Sequence, residues 1–156
     1  MRFVADRMLG KLAKDLRLLG YDTVYYPGED LYHLIQWART EDRVILTRNR
    51  KLIAKRPEDR LVRITEDHPT LQLQELIQKG YVTRDEEKHF SRCLLCNALL
   101  DEISRAEAEG HVPDFVFHEL KEFFRCPRCR RIYWQGSHQK NMQAWVEGLF
   151  QPWREI

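Results

Sequence analysis

The first eighty residues alternate between two apolar rhythms. Short runs at residues 2–5 (RFVA), 23–26 (TVYY), 44–47 (VILT) and 61–64 (LVRI) are β-branched, aromatic or continuously apolar, the composition of strands. Between them apolar side chains recur every three or four positions. Leu9, Leu12, Leu16 and Leu19 form one stripe over residues 8–19 while Lys11, Lys14 and Arg17 face away, and Gly20 supplies the stop. Asp30 is placed to cap a helix from residue 31 to about 40, with Leu34, Ile35 and Ala38 inward. A short basic helix is expected over residues 51–56, ended by Pro57, and another helix over residues 70–79, closed by Gly80. The order β-α-β-α-β-α-β-α predicts an α/β sandwich on a mainly parallel sheet.

After Tyr81 the rhythm breaks. A charged run, VTRDEEKHFSR, precedes the cysteines, so the chain divides into residues 1–82, a connector over 83–91, and a smaller part over 92–156. There EFFR and RRIYWQG read as a hairpin, and DEISRAEAEGHVPDFVFHELK as a looped excursion. NMQAWVEGLF reads as a carboxyl-terminal helix with Met142, Trp145, Val146 and Leu149 on one packing face.

All four cysteines fall in two C-x-x-C pairs, Cys93 with Cys96 and Cys126 with Cys129, and 29 residues separate Cys96 from Cys126. Four thiolates on two knuckles suit one tetrahedral zinc, and a shell closed by four protein ligands makes that ion structural. Disulfides and redox chemistry are the alternatives. The lack of secretory features disfavours the first, and the duplicated motif the second. Arg125, Arg128, Arg130 and Arg131, beside Tyr133 and Trp134, suit contact with a nucleic-acid backbone and stacking on a base. Trp134 equally suits the small core of a zinc ribbon.

With 156 residues, 43% hydrophobic and 32% charged, the chain has the makings of one main core with an appendage. No apolar run approaches the roughly 20 residues that cross a bilayer, and Asp6 comes too early for a signal peptide. A cytoplasmic protein without membrane contact is expected. The net charge of +2 does not announce a nucleic-acid binder, yet residues 43–63 hold eight basic side chains against two acids. Within that segment Arg48, Arg50, Lys51 and Lys55 are candidates to track a phosphate backbone. A solvated basic face with no ligand is the plain alternative.

Polar residues end the strands. Asp6 follows the first, Asn49 the third and Asp67 the fourth, and Asp30 stands at a helix start after the second. Ligands of an open parallel sheet gather beyond the carboxyl ends of its strands, so these four form a candidate centre. Clustered carboxylates are stabilised by a hard cation such as magnesium or manganese, which polarises a phosphodiester and generates the attacking hydroxide. Asp6 and Asp30 also suit helix caps, and Asp67 a turn before His68-Pro69. Arg48 is placed either to position phosphate or to pair with Asp67.

Four stretches, in their order, carry a likeness: ADRMLGKLAKDLRLLGYDT (5–23), RVILTRNR (43–50), FSRCLLCN (90–97) and FFRCPRCRRIYWQGSH (123–138). Together they resemble the PIN-type ribonuclease domain with an attached zinc ribbon that is found at the carboxyl end of mutator-class exonucleases and as stand-alone prokaryotic proteins. The likeness extends to about Met142. It implies a PIN-like three-layer sandwich with a mainly parallel sheet, a small zinc ribbon, and an acidic centre that hydrolyses RNA with magnesium or manganese. By position Asp6 and Asp30 match family acids, Asp67 is the candidate fourth, and His138 also matches, with a structural role favoured. Asn49 departs from the pattern, since the family usually has aspartate there in a run similar to LLTRDR. Asparagine keeps one carbonyl oxygen for a cation but removes a full negative charge, so weaker metal affinity is expected.

The expectation is a metal-dependent ribonuclease acting on single-stranded RNA, with Asp6, Asp30, Asn49 and Asp67 in the catalytic centre and magnesium or manganese held by the three aspartates. Structural zinc is expected on Cys93, Cys96, Cys126 and Cys129. PIN-like nucleases can be controlled by protein regulators, though no segment here identifies one. The competing reading is a catalytically inactive RNA-binding or RNP-associated adaptor that uses the basic segment and the ribbon.

Overall fold

The computed structural model describes residues 1–135 and 137–151, without the side chains of residues 137–139, so the His138 side chain lies outside the description. The chain forms two compact units, Met1–Asn97 and Ala98–Ile156.

In the first unit the elements run β1 (Phe3–Ala5), a 3-10 turn (Arg7–Leu9), α1 (Gly10–Leu18), β2 (Thr23–Tyr25), α2 (Leu31–Glu41), β3 (Val44–Thr47), β4 (Leu61–Arg63) and α3 (Pro69–Gln78). All four strands are parallel, in the order β2-β1-β3-β4. Val4 lies between Val24 and Ile45, and Ala5 between Tyr25 and Leu46. Alternation along the strands sorts the faces. Val4 and Ile45 pack with Leu34, Ile35 and Ala38 of α2 and with Leu52. Phe3, Ala5, Val44 and Leu46, all fully buried, point to the opposite face. The winding reverses direction between β2 and β3, which puts α1 and α2 on opposite faces, and α3 packs beside α1.

The basic helix expected over residues 51–56 does not form. Two side chains satisfy the local amides in its place. Asn49 Oδ1 accepts from the Lys51 amide at 2.9 Å, and Asp59 Oδ2 accepts from the amides of Lys55 and Arg56 at 3.3 and 3.2 Å. Such side-chain bonds compete directly with helical ones, and β3 reaches β4 without a helix between them.

The residues after α3 return to the end of α1. Gly20 adopts φ +92°, where a Cβ would stand 2.3 Å from the Lys88 carbonyl oxygen. The Phe90 amide donates to Leu18 O at 2.8 Å, and Arg92 Nε to Gly20 O at 3.1 Å. Asn97 accepts from the Thr23 amide at 2.9 Å and donates to Asp22 at 2.7 Å. The buried Arg17 guanidinium donates to Thr23 O at 2.8 Å and to Leu94 O at 2.7 Å.

The second unit holds β5 (Asp101–Ile103), α4 (Arg105–Ala108), α5 (Asp114–Glu119), β6 (Phe123–Arg125), β7 (Ile132–Trp134) and α6 (Ser137–Leu149). Its sheet is antiparallel, in the order β5-β6-β7. The stretch read as a looped excursion therefore supplies a third strand and two short helices. Ser104 begins α4 by accepting from the Glu107 amide at 3.2 Å, an S-x-x-E cap. Ile103, Ala108, Val112, Val116 and Phe123 form the core, and Trp134 packs against it. Among the described residues no helix is long and apolar enough to cross a membrane.

Candidate active site and metal centre

Because β2 lies on one side of β1 and β3 on the other, the crevice at the carboxyl ends of β1 and β3 is the point where the winding reverses. Asp6 leaves β1 there, its amide donating to Leu46 O at 3.0 Å as one more rung of the ladder. Asp6 is 7% exposed, and its carboxylate takes three hydrogen bonds. Oδ1 accepts from the Met8 amide at 3.1 Å; Oδ2 accepts from the Thr47 hydroxyl and from the Arg48 amide at 3.2 Å. Thr47 is fully buried, and its hydroxyl oxygen accepts from the Asn49 amide at 2.9 Å. Two strand ends thus fix one carboxylate through uncharged donors.

A pocket of about 440 Å³ opens beside it. Its lining includes the polar or charged Asp6, Arg7, Glu29, Arg48, Asn49 and Arg50 and the largely apolar Met8, Tyr26, Leu31 and Leu34. Arg7 pairs with Glu29, and Arg48 Nη2 with Asp67 Oδ1 at 2.5 Å. Of the expected site residues, the lining brings together Asp6, Asn49, Arg48 and Arg50. Asp30 and Asp67 are not in it. Asp30 caps α2, accepting from the Tyr32 amide at 2.9 Å, with His33 Nδ1 3.2 Å from its other oxygen. The Asp67 side chain is 91% exposed. Glu29 is the lining acid that sequence reasoning missed. It stands beside Asp30 in the same PGED stretch, and the helix-capping pattern drew attention to its neighbour.

The basic segment is divided in use. Arg43 is buried, held by Asp22, Glu41 and the Phe3 carbonyl, and Arg63 donates to Leu52 O. Arg60 pairs with Asp42. Arg50, Lys51 and Lys55 are exposed and make no ion pair among the described residues, which leaves their charge available to a phosphate backbone.

The oxygen donors of the pocket suit a small hard cation. Magnesium is usually held by one or two carboxylates, with water and phosphate oxygens filling the octahedron. Asp6 and Glu29 are carboxylates, and Asn49 adds a carbonyl oxygen already engaged by Lys51. Among the described residues the only group of three or more His, Cys, Asp or Glu side chains close enough to share an ion is the four cysteines.

Those four sulfurs all lie within 4.8 Å of one another, within reach of one tetrahedral zinc with Zn–S bonds of about 2.3 Å. All four thiols are free of disulfides. The knuckles repeat one geometry. The Cys96 amide points at Cys93 Sγ at 3.4 Å and the Cys129 amide at Cys126 Sγ at 3.5 Å; Asn97 and Arg130 then turn the chain at φ 67° and 66°. Burial pulls the Arg17 pKa below its ordinary value, and the nearby thiolates of Cys93 and Cys96 oppose that shift. Arg128, Arg130 and Arg131 are exposed and make no ion pair among the described residues.

A family model described as the Mut7-C RNAse domain matches residues 1–146. Comparison with curated proteins and with solved structures gives no match.

Proposed function

The chain belongs to the Mut7-C RNAse domain family, and on that premise we propose that it hydrolyses phosphodiester bonds of single-stranded RNA at the pocket around Asp6. The observation that carries this reading is the position of Asp6. Its carboxylate is fixed by three uncharged donors at the winding reversal of a parallel sheet, facing a pocket that also holds Arg48 and Arg50. Asp6 and Glu29, assisted by Asn49, would hold magnesium or manganese. Such an ion supplies Lewis-acid activation of the phosphodiester and of the attacking water.

The rest is the work of the chain. Thr47 and the Arg48 amide orient the Asp6 carboxylate. Arg50 attracts the backbone phosphates, and Arg48, which lines the same pocket while paired with Asp67, adds to that attraction. Asp30 fixes the start of α2, which brings Leu31 and Leu34 to the pocket lining. Lys51 and Lys55 extend the basic track beyond the pocket, and Arg128, Arg130 and Arg131 offer a second one in the ribbon, whose zinc is structural.

The test is cleavage of a labelled single-stranded RNA by the whole zinc-loaded protein with manganese, with magnesium, or with no added divalent cation. Metal-dependent cutting that Asp6→Asn reduces at least about a hundredfold supports the assignment, and Asn49→Asp is expected to lower the manganese concentration needed. Unchanged cutting by Asp6→Asn would remove Asp6 from the centre. One observation favours the adaptor reading: the Asn49 carbonyl oxygen is committed to the Lys51 amide. RNA binding without cutting in the wild type, in Asp6→Asn and in Asn49→Asp alike would establish that reading.

A further inference from the structure

Tyr26, Leu31 and Leu34 line the pocket without a hydrogen bond to Asp6, and their setting is specific. The Tyr26 ring is held from three directions. The phenol hydroxyl donates to Asp30 O at 2.8 Å, and the ring meets Trp37 edge-on at a centroid separation of 6.3 Å and an interplanar angle of 77°. Gly28 closes the third side, since a Cβ there would stand 2.7 Å from the Tyr26 hydroxyl oxygen. Leu31 and the fully buried Leu34 continue the lining. An aromatic ring so fixed in the lining of a cavity loses little freedom when a flat ligand is laid against it.

Arg7, Arg48 and Arg50 line the same pocket. A fixed aromatic ring and guanidinium groups lining one cavity of about 440 Å³ match the two parts of a nucleotide, a base for the ring and phosphates for the cations. We propose that the pocket is a base-binding subsite that holds one unpaired nucleotide of the RNA against Tyr26 while Arg48 and Arg50 hold its phosphates. This rests on the ribonuclease reading for the identity of the polymer and adds the reason for a single strand. A base within a duplex is stacked and paired and has no free face for Tyr26.

The experiment measures the Kd of fluorescein-labelled single-stranded RNAs for the whole zinc-loaded protein without added magnesium or manganese. Each RNA lacks the base at one successive position. One position is expected at which loss of the base weakens binding roughly tenfold. Tyr26→Phe, which keeps the ring, retains that penalty; Tyr26→Leu reduces it to about twofold or less. Arg50→Ala weakens all the RNAs alike. A Kd independent of which base is missing overturns the proposal on the unaltered chain, however Tyr26→Leu folds. The full penalty surviving in a folded Tyr26→Leu protein also overturns it. Cleavage of the same RNAs with manganese separates the two readings. Cutting with no base-sensitive position removes the subsite and leaves the ribonuclease, whereas base-sensitive binding without cutting removes the ribonuclease and leaves the subsite.

Discussion

Thr47 shows how much of a site is set by groups that carry no charge. Its hydroxyl donates to Asp6 and accepts from the Asn49 amide, so it links the ends of β1 and β3 through one buried oxygen. Thr47→Val keeps the shape and removes both bonds. It is expected to cost about 1–3 kcal/mol of stability and to lower kcat for RNA cleavage roughly 10- to 100-fold with little change in KM, read from steady-state kinetics and thermal melts. Asp15 is the opposite case. Burial raises its carboxyl pKa, and Lys11 only partly opposes this. A carboxyl whose folded pKa is raised favours the fold at low pH, and that contribution is lost as the pH climbs through the raised value. Asp15→Asn should therefore raise the Tm at pH 7, with the gain shrinking below about pH 4. Asp6 and Asn49 were legible in the sequence because polar residues follow apolar strands. Glu29 and the inward turn of Arg43 were not, since formal charge says nothing about which way a side chain faces.

Elements as short as three residues were readable here because parallel strands are buried on both faces and leave continuous apolar runs. The failures lay where side chains bond to nearby backbone. The loop from β3 to β4 has the composition of a helix, but Asn49 and Asp59 take its amides. Asp59 also receives a two-pronged bond from Arg39, at 2.8 and 2.7 Å, which holds its carboxyl at about 2. A depressed folded pKa contributes stability above the unfolded value of about 4, lost as the pH falls towards 2. Acid unfolding followed by circular dichroism should contain a component in that window which Asp59→Asn removes. Strand β5 was missed because two of its three residues are acidic and exposed. At the turn after α1 both requirements for glycine meet in Gly20: a positive φ and a backbone in the way. Gly20→Ala is expected to destabilise by more than about 1 kcal/mol, measured by urea unfolding.

At the scale of the molecule, the hydrophobic cluster of the second unit is small among the described residues, so a zinc ion closing the four-cysteine shell would be a large part of what folds it. About one zinc per chain is expected by elemental analysis, with Cys126→Ser losing the metal and the β5-β6-β7 signal together. The hydrogen bonds that return to α1 bear on where the chain can be cut. A deletion ending at residue 82 follows the change in composition, yet it takes Leu94 from Arg17, Arg92 from Gly20 and Asn97 from the Thr23 amide. Arg17 is 8% exposed and Thr23 fully buried, so the shortened fragment would leave polar groups stranded beside an edge strand. Excision after residue 97 keeps all three partners. In deletion mapping, the smallest soluble fragment that retains the sheet should end there, beyond the connector and past the first pair of cysteines.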